Sequence, residues 1–289
     1  MKLAVVTGGN KVEIYYCFRL AQFLLSSIIS QGIGFEICKK LCQAGVKTIV
    51  ACRNETLGME AVNNLKAQGF EAEYRSLDIS DDLSIGRFTR CMEEDYGCLD
   101  ILVNNAGIAY KGSDPTPFQE QCEPTILTNF FGTLKVAESL LPLVRKSTAG
   151  RIVNIASMTG HLRILSSEEL KGRFLNCKSL DELEGLIQNF VDDVKAGTHV
   201  EKGWANSNYG MSKLGVIALT RVMAHRETEM YPGTPLLITS CCPGYCATDM
   251  TSHKGGRTAE HGARTPAMLA LANSVPNGRF FTDEAEVEW

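Results

Sequence analysis

The stretch Tyr209-Gly-Met-Ser-Lys213 sets a phenol and an ammonium four residues apart, on one face of a helix. A nearby cation stabilises a phenolate and lowers the phenol from its usual value near ~10, so Tyr209 can act as a proton donor at neutral pH. The same spacing also fits a pair on the surface of an amphipathic helix. The residues upstream favour chemistry. Ser157 ends the apolar run Val153-Asn-Ile-Ala-Ser157, which reads as a strand reaching the carboxyl edge of a sheet, where open α/β sheets bind ligands.

A second group of residues is suited to phosphate. Thr7-Gly8-Gly9-Asn10 follows a short apolar strand, and Gly32-Ile33-Gly34 opens a helical pattern. A glycine turn of this kind lets backbone N–H groups and a helix N-terminus face a pyrophosphate. Folds that prefer NAD place an acid at the end of the second strand, to bind the ribose 2′-hydroxyl. Here that end reads Val50-Ala51-Cys52-Arg53. A guanidinium suits a 2′-phosphate, so NADP(H) is the expected dinucleotide, a plain surface charge being the alternative for Arg53.

These groups need a scaffold, and the pattern supplies one. Leu3–Val6, Thr48–Ala51, Ile101–Val103, Arg151–Ile155 and Leu236–Cys241 read as buried strands. Phe35–Ala44, Gly58–Gln68, Leu83–Asp95, Glu123–Val144 and Tyr209–Met230 carry helical spacing. The alternation predicts an α/β fold, a doubly wound parallel sheet of the Rossmann type. With no linker, repeat or composition break, residues 1–289 read as a single domain. Residues 161–205 interrupt the pattern before Tyr209. There Ser179-Leu-Asp-Glu182 fits a capping box, and Leu183, Leu186, Ile187, Phe190 and Val194 recur at helical spacing up to Gly197. An added amphipathic helix is expected.

Composition removes several function classes. A net charge of −4 gives no electrostatic footprint for nucleic acid or an acidic membrane, so neither is expected as a partner. Eleven scattered cysteines read as reduced packing residues of a cytoplasmic protein. Cys241, Cys242 and Cys246 lack a second ligand pair at zinc spacing, and the five histidines form no cluster, so no metal site is expected.

Taken as a set, Thr7-Gly8…Gly32-Ile-Gly34, Asn104-Asn-Ala-Gly107, Ser157, Tyr209-x-x-x-Lys213 and Pro243-Gly244 resemble the short-chain dehydrogenase/reductase superfamily. The chain is similar to its monomeric NADPH-dependent carbonyl reductases over nearly its whole length. Leu77-Asp-Ile79, Thr128-Asn-Phe-Phe-Gly132, Cys241-Cys-Pro-Gly-Tyr245, Thr248-Asp-Met250 and Val287-Glu-Trp289 extend the likeness. The resemblance implies reduction of aromatic or apolar ketones, aldehydes and quinones to alcohols. Tyr209 would protonate the carbonyl oxygen, and Ser157 would orient it. Lys213 would bind the nicotinamide ribose and depress the phenol, while Asn129 would hold a relay water. Gly8, Asn10, Lys11, Gly32, Ile33, Gly34, Arg53, Asp78, Ile79, Asn105, Ala106, Gly107, Pro243, Gly244 and Thr248 would line the dinucleotide with Tyr209 and Lys213. Trp204 and Tyr245 would join Ser157 and Tyr209 around the substrate, with the segment Leu162–Leu165 and Met250 nearby. In the resemblance the added helix covers the dimerising surface of other members, which implies a monomer.

One stretch departs from the pattern. Removing the twenty residues Val12–Gln31 restores Thr-Gly-Gly-Asn-Lys-Gly-Ile-Gly, the turn of the resembled family. The segment is too short for a bilayer and carries Arg19 and Gln22. Val begins with GT, Gln can be CAG, and Phe23–Ser30 can be written in pyrimidine-rich codons, as at the ends of an intron. Val12–Gln31 is therefore read as translated intron, with a genuine insertion as the rival. Two alternative functions follow: a terpenoid or alkaloid ketone reductase of the same superfamily, or a non-catalytic NADP-binding isoform with a disrupted turn.

Overall fold

The computed structural model describes residues 1–9 and 32–289. The expectations for Asn10, Lys11 and Val12–Gln31 lie outside the described residues.

The described strands form one sheet in the order β3-β2-β1-β4-β5-β6-β7-β8, parallel except for the final β7–β8 pair. They are β1 Leu3–Thr7, β2 Lys47–Cys52, β3 Ala72–Ser76, β4 Ile101–Asn104, β5 Arg151–Ile155, β6 Leu237–Cys242, β7 Phe280–Thr282 and β8 Ala285–Val287. β1, β4 and β5 are buried along their whole length, as parallel strands covered on both faces must be. Val5, Leu102 and Ile152 pack on one side, and Ala4, Val6, Val103 and Val153 on the other. The chain runs outward from β1 through β2 to β3, then returns to β4 on the other flank of β1. That reversal opens a crevice at the carboxyl ends of β1 and β4, where open α/β sheets hold ligands.

The helices are α1 Ile33–Gln43, α2 Glu55–Ala67, α3 Asp82–Asp95, α4 Phe118–Ile126, α5 Thr133–Arg145, α6 Glu168–Asn176, α7 Leu180–Lys195, α8 Asn208–Met230, α9 Ala259–Gly262 and α10 Arg264–Leu271. The helix expected over Glu123–Val144 begins earlier, at Phe118, and is divided by a π-helical turn at Leu127–Gly132. At the end of that turn a Cβ on Gly132 would lie 2.5 Å from the Ile79 carbonyl oxygen, so only glycine permits the approach.

The inserted segment contains two helices rather than one. Ser179 Oγ accepts from Glu182 N at 3.1 Å, while the Glu182 carboxylate accepts from Lys178 N, one residue outside the expected box. The apolar face of α7 packs on α4 and α8. β3 escaped the sequence reading because Ala72-Glu-Tyr-Arg-Ser76 lies at the sheet edge and has little need to be apolar.

Candidate active site

The first turn is built by side chains that reach across the crevice. The buried Thr7 hydroxyl accepts from the backbone N–H groups of Asn105 and Ala106, each at 3.0 Å. Asn105 Nδ2 donates to the carbonyls of Thr7 at 3.0 Å and Gly8 at 3.2 Å. Gly8 has φ of +62°, and a Cβ there would sit 2.9 Å from Ala106 Cα. A Cβ on Gly34 would come within 2.5 Å of the Gly8 carbonyl oxygen. The two glycine halves are therefore in contact. Gly32 caps α1 with no side-chain hydrogen bond, and a Cβ on it would meet nothing within 4 Å among the described residues. Gly32, Ile33 and Gly34, at the start of α1, line the cleft described next, and the first N–H groups of a helix suit an anion.

One cleft joins the expected positions. It is lined by Gly8, Gly32, Ile33, Gly34, Arg53, Asp78, Ile79, Asn105, Ala106, Gly107, Tyr209, Lys213, Pro243, Thr248 and Met250. Arg53 leaves the end of β2 and approaches Asp78 at 3.7 Å. Burial would raise the Asp78 carboxyl, but hydrogen bonds from Ser80 and the Arg53 charge hold it below its ordinary value. A glycine turn, a helix N-terminus, a guanidinium and a carboxylate thus line one cleft. This donor set fits a dinucleotide with a 2′-phosphate.

Tyr209 and Lys213 bring to the cleft the groups that could do chemistry. Ser157 follows β5, and its Oγ accepts from Thr159 N at 3.2 Å and Thr159 Oγ1 at 2.9 Å. Lys213 Nζ donates to the Ile155 carbonyl at 2.8 Å and lies 5.6 Å from the centroid of the Tyr209 ring. Asn129, fully buried on the π-helical turn, accepts from Ile108 N at 2.7 Å and donates to Ile108 O at 2.9 Å. A Cβ added to Gly107 would touch Asn129 Oδ1 at 3.0 Å and Lys213 Nζ at 3.6 Å, so those two groups flank the same small space.

The electrostatics correct one expectation. Lys213 was expected to depress the Tyr209 phenol, but burial and the neighbouring Cys242 push it up, and only the hydrogen bond with Ser157 draws it back. Lys213 is itself pushed down to about 8 by burial, with partial compensation from Cys242 and Cys241. Desolvation acts against both charged forms.

Two expected substrate residues fall elsewhere. Trp204 is 4% exposed, donates from Nε1 to Asp193 at 2.8 Å and packs edge-on against Phe174 and Phe190. It holds the inserted helices together. Tyr245 is 59% exposed and does not line the cleft. Leu162 and Leu165 are buried in the core, whereas Met250 does line the cleft. Gly244 borders it only through Pro243; a Cβ on it would strike the Arg257 side chain at 2.7 Å. Leu57, Ser80 and Ile108 also line the cleft without having been singled out in the sequence, and Leu77, Thr128 and Ala156 line it as members of motifs quoted above. Their contribution is shape and backbone, which residue type does not advertise.

Comparison with known proteins agrees with this geometry. The family described as short chain dehydrogenase matches residues 29–167, a match that starts just before Gly32 and omits β1. Carbonyl reductase [NADPH] 1 of Mus musculus is 42% identical over 294 residues, covering 99% of this chain and 98% of that protein. Among solved structures, salutaridine reductase from Papaver somniferum superposes with a TM-score of 0.81 at 29% identity, covering 98% of this chain and 100% of that one. Menthone neomenthol reductase from Mentha piperita gives a TM-score of 0.74 at 28% identity, covering 97% of this chain and 98% of that one. The chain belongs to the short-chain dehydrogenase/reductase family.

Proposed function

We propose that this protein is an NADPH-dependent carbonyl reductase acting on aromatic or apolar ketones, aldehydes and quinones. The observation that carries the reading is the convergence of Ser157 and Asn129 on Tyr209 and Lys213, which line the same cleft as Arg53. The dinucleotide supplies the hydride. Ser157 binds the carbonyl oxygen and orients it, and Tyr209 gives that oxygen its proton. Lys213 holds the ribose hydroxyls, and Asn129 keeps a proton path open beside it. Gly32–Gly34 and the N-terminus of α1 bind the pyrophosphate, and Asp78 and Ile79 border the adenine. Asn105, Ala106, Gly107, Pro243, Gly244 and Thr248 flank the rest of the dinucleotide. The twenty residues Val12–Gln31 are not part of the working protein.

The test is consumption of NADPH absorbance with a quinone or an aromatic ketone. Turnover is expected, and its absence across a carbonyl panel, in chains with and without Val12–Gln31, would sink the reading. The similarity to salutaridine reductase and menthone neomenthol reductase supports a second substrate class, a bulky terpenoid or alkaloid ketone. Higher kcat/KM on such ketones than on simple quinones would favour it.

Two further outcomes follow. Arg53→Ala should weaken NADPH by about tenfold to a hundredfold and leave NADH unchanged, because only the 2′-phosphate loses a charge-assisted contact. Equal losses for both dinucleotides in a titration would refute that assignment. Because α7 covers α4 and α8, a monomer is expected. Sedimentation at the mass of a dimer would contradict it.

A further inference from the structure

Glu288 and Trp289 follow β8 and have no place in the mechanism given above. β8 turns back along β7 at the edge of the sheet, and Trp289 lies two residues beyond it. The indole is half-buried against a cluster that includes Ala156 and Cys242, and Met158 packs on the same cluster. The Arg221 guanidinium lies over the ring, 4.9 Å from its centroid. Trp289 Nε1 donates to the Gly160 carbonyl at 3.0 Å. The backbone of Glu288 is a hydrogen-bond partner of the His161 imidazole, so the strap is fastened at two successive residues.

Gly160 matters because of what else its backbone touches. It closes the 3₁₀ turn Met158–Gly160, and its N–H donates to the Ser157 carbonyl at 2.9 Å. A Cβ on it would lie 2.5 Å from the backbone of Lys213 and Leu214, so the turn rests directly on α8. A single 3₁₀ turn has few hydrogen bonds of its own, with poorer geometry than an α-helix. Thr159, in the middle of it, supplies the N–H and the hydroxyl that Ser157 Oγ accepts. A turn that lifted from α8 would therefore carry the Ser157 hydroxyl away from Tyr209.

We propose that Trp289 is a positioning residue that clamps the Ser157 turn onto α8 through the Gly160 carbonyl. The clamp holds Ser157 in place against Tyr209 and Lys213. A ring that only sealed the sheet edge would work equally well without its N–H. The inference rests on the assignment of Ser157 and Tyr209 to the carbonyl oxygen.

The experiment follows NADPH consumption with a quinone for Trp289→Phe and Trp289→Gly, with Tyr209→Phe alongside. It uses whichever of the full and shortened chains turns over faster. Phenylalanine keeps a ring and lacks the N–H. It should lower kcat about threefold to tenfold, the worth of one neutral hydrogen bond, with NADPH Kd unchanged. Trp289→Gly should lose at least as much. Added indole should restore its kcat, whereas N-methylindole, nearly the same shape without a donor, should not. If Trp289→Phe keeps the parent kcat, or N-methylindole rescues as well as indole, the N–H is irrelevant and the clamp is overturned. An inactive Tyr209→Phe then leaves the reductase reading standing. A loss of NADPH affinity in place of kcat would put Trp289 with the dinucleotide and overturn the clamp as well. Trp289→Phe decides the matter by itself if Trp289→Gly does not fold. An active Tyr209→Phe would overturn the reading on which the clamp rests.

Discussion

Removal of Val12–Gln31 is expected to tighten NADPH binding by roughly a hundredfold or more, read as Kd in fluorescence titrations of the full and shortened chains. The reason lies in what already positions the turn. Gly8 N donates to Ala51 O at 2.7 Å, Asn105 holds the Thr7 and Gly8 carbonyls, and Gly34 touches Gly8. None of these contacts needs the twenty intervening residues. In the shortened chain only Asn10 and Lys11 join Gly9 to Gly32. Their N–H groups and the Lys11 ammonium are then confined beside the phosphates. Two charge-assisted contacts of about 1.5–3 kcal/mol each account for a ratio of that size. The longer loop costs about 0.6 kcal/mol per doubling of its length, about 2 kcal/mol for growth from two residues to twenty-two, so a modest rise in melting temperature should accompany the gain in binding. Equal Kd values would overturn the idea that the segment is foreign to the site. A transcript survey in which most messages carry these codons would overturn its origin as intron.

The sequence conveyed the scaffold well because buried parallel strands are continuous apolar runs. Arg151–Ile155 was bounded as observed, and the ends of four other strands moved by a residue. It conveyed less where packing does not demand apolar residues: β3 at one edge, and the short β7–β8 pair at the other. The π-helical turn was invisible, since periodicity reports a helical face and not an extra residue per turn. The chemistry residues were legible by type and spacing, and Tyr209, Lys213, Ser157 and Asn129 do meet. Their electrostatics were not. Burial is a property of the assembled fold, and it reversed the expected direction for the Tyr209 phenol. Trp204 shows the same limit: an aromatic residue before the catalytic helix could equally line a cleft or pack a core, and only the fold decides.

Tyr209→Phe should lower kcat by roughly a thousandfold, within the range for loss of a general acid, while NADPH affinity stays unchanged. Retained turnover would exclude the phenol as proton donor. The pH dependence separates Tyr209 from Lys213. Because kcat/KM reports the free enzyme, it should be flat below about 8 and fall above it, as Lys213 loses its proton. The phenol, which burial pushes up, remains protonated across that range. Stability carries the matching signature. Burial lowers Lys213 from 10.5 to about 8, so between those values the unfolded chain holds a proton that the folded chain has released. The unfolded state then binds more protons, and stability gains with pH across that window. The gain should appear as a melting temperature of the parent that rises relative to that of Lys213→Met from pH 8 to 10.5. A constant difference would mean that the ammonium is not strained by burial. The alkaline limb of kcat/KM would then belong to another group.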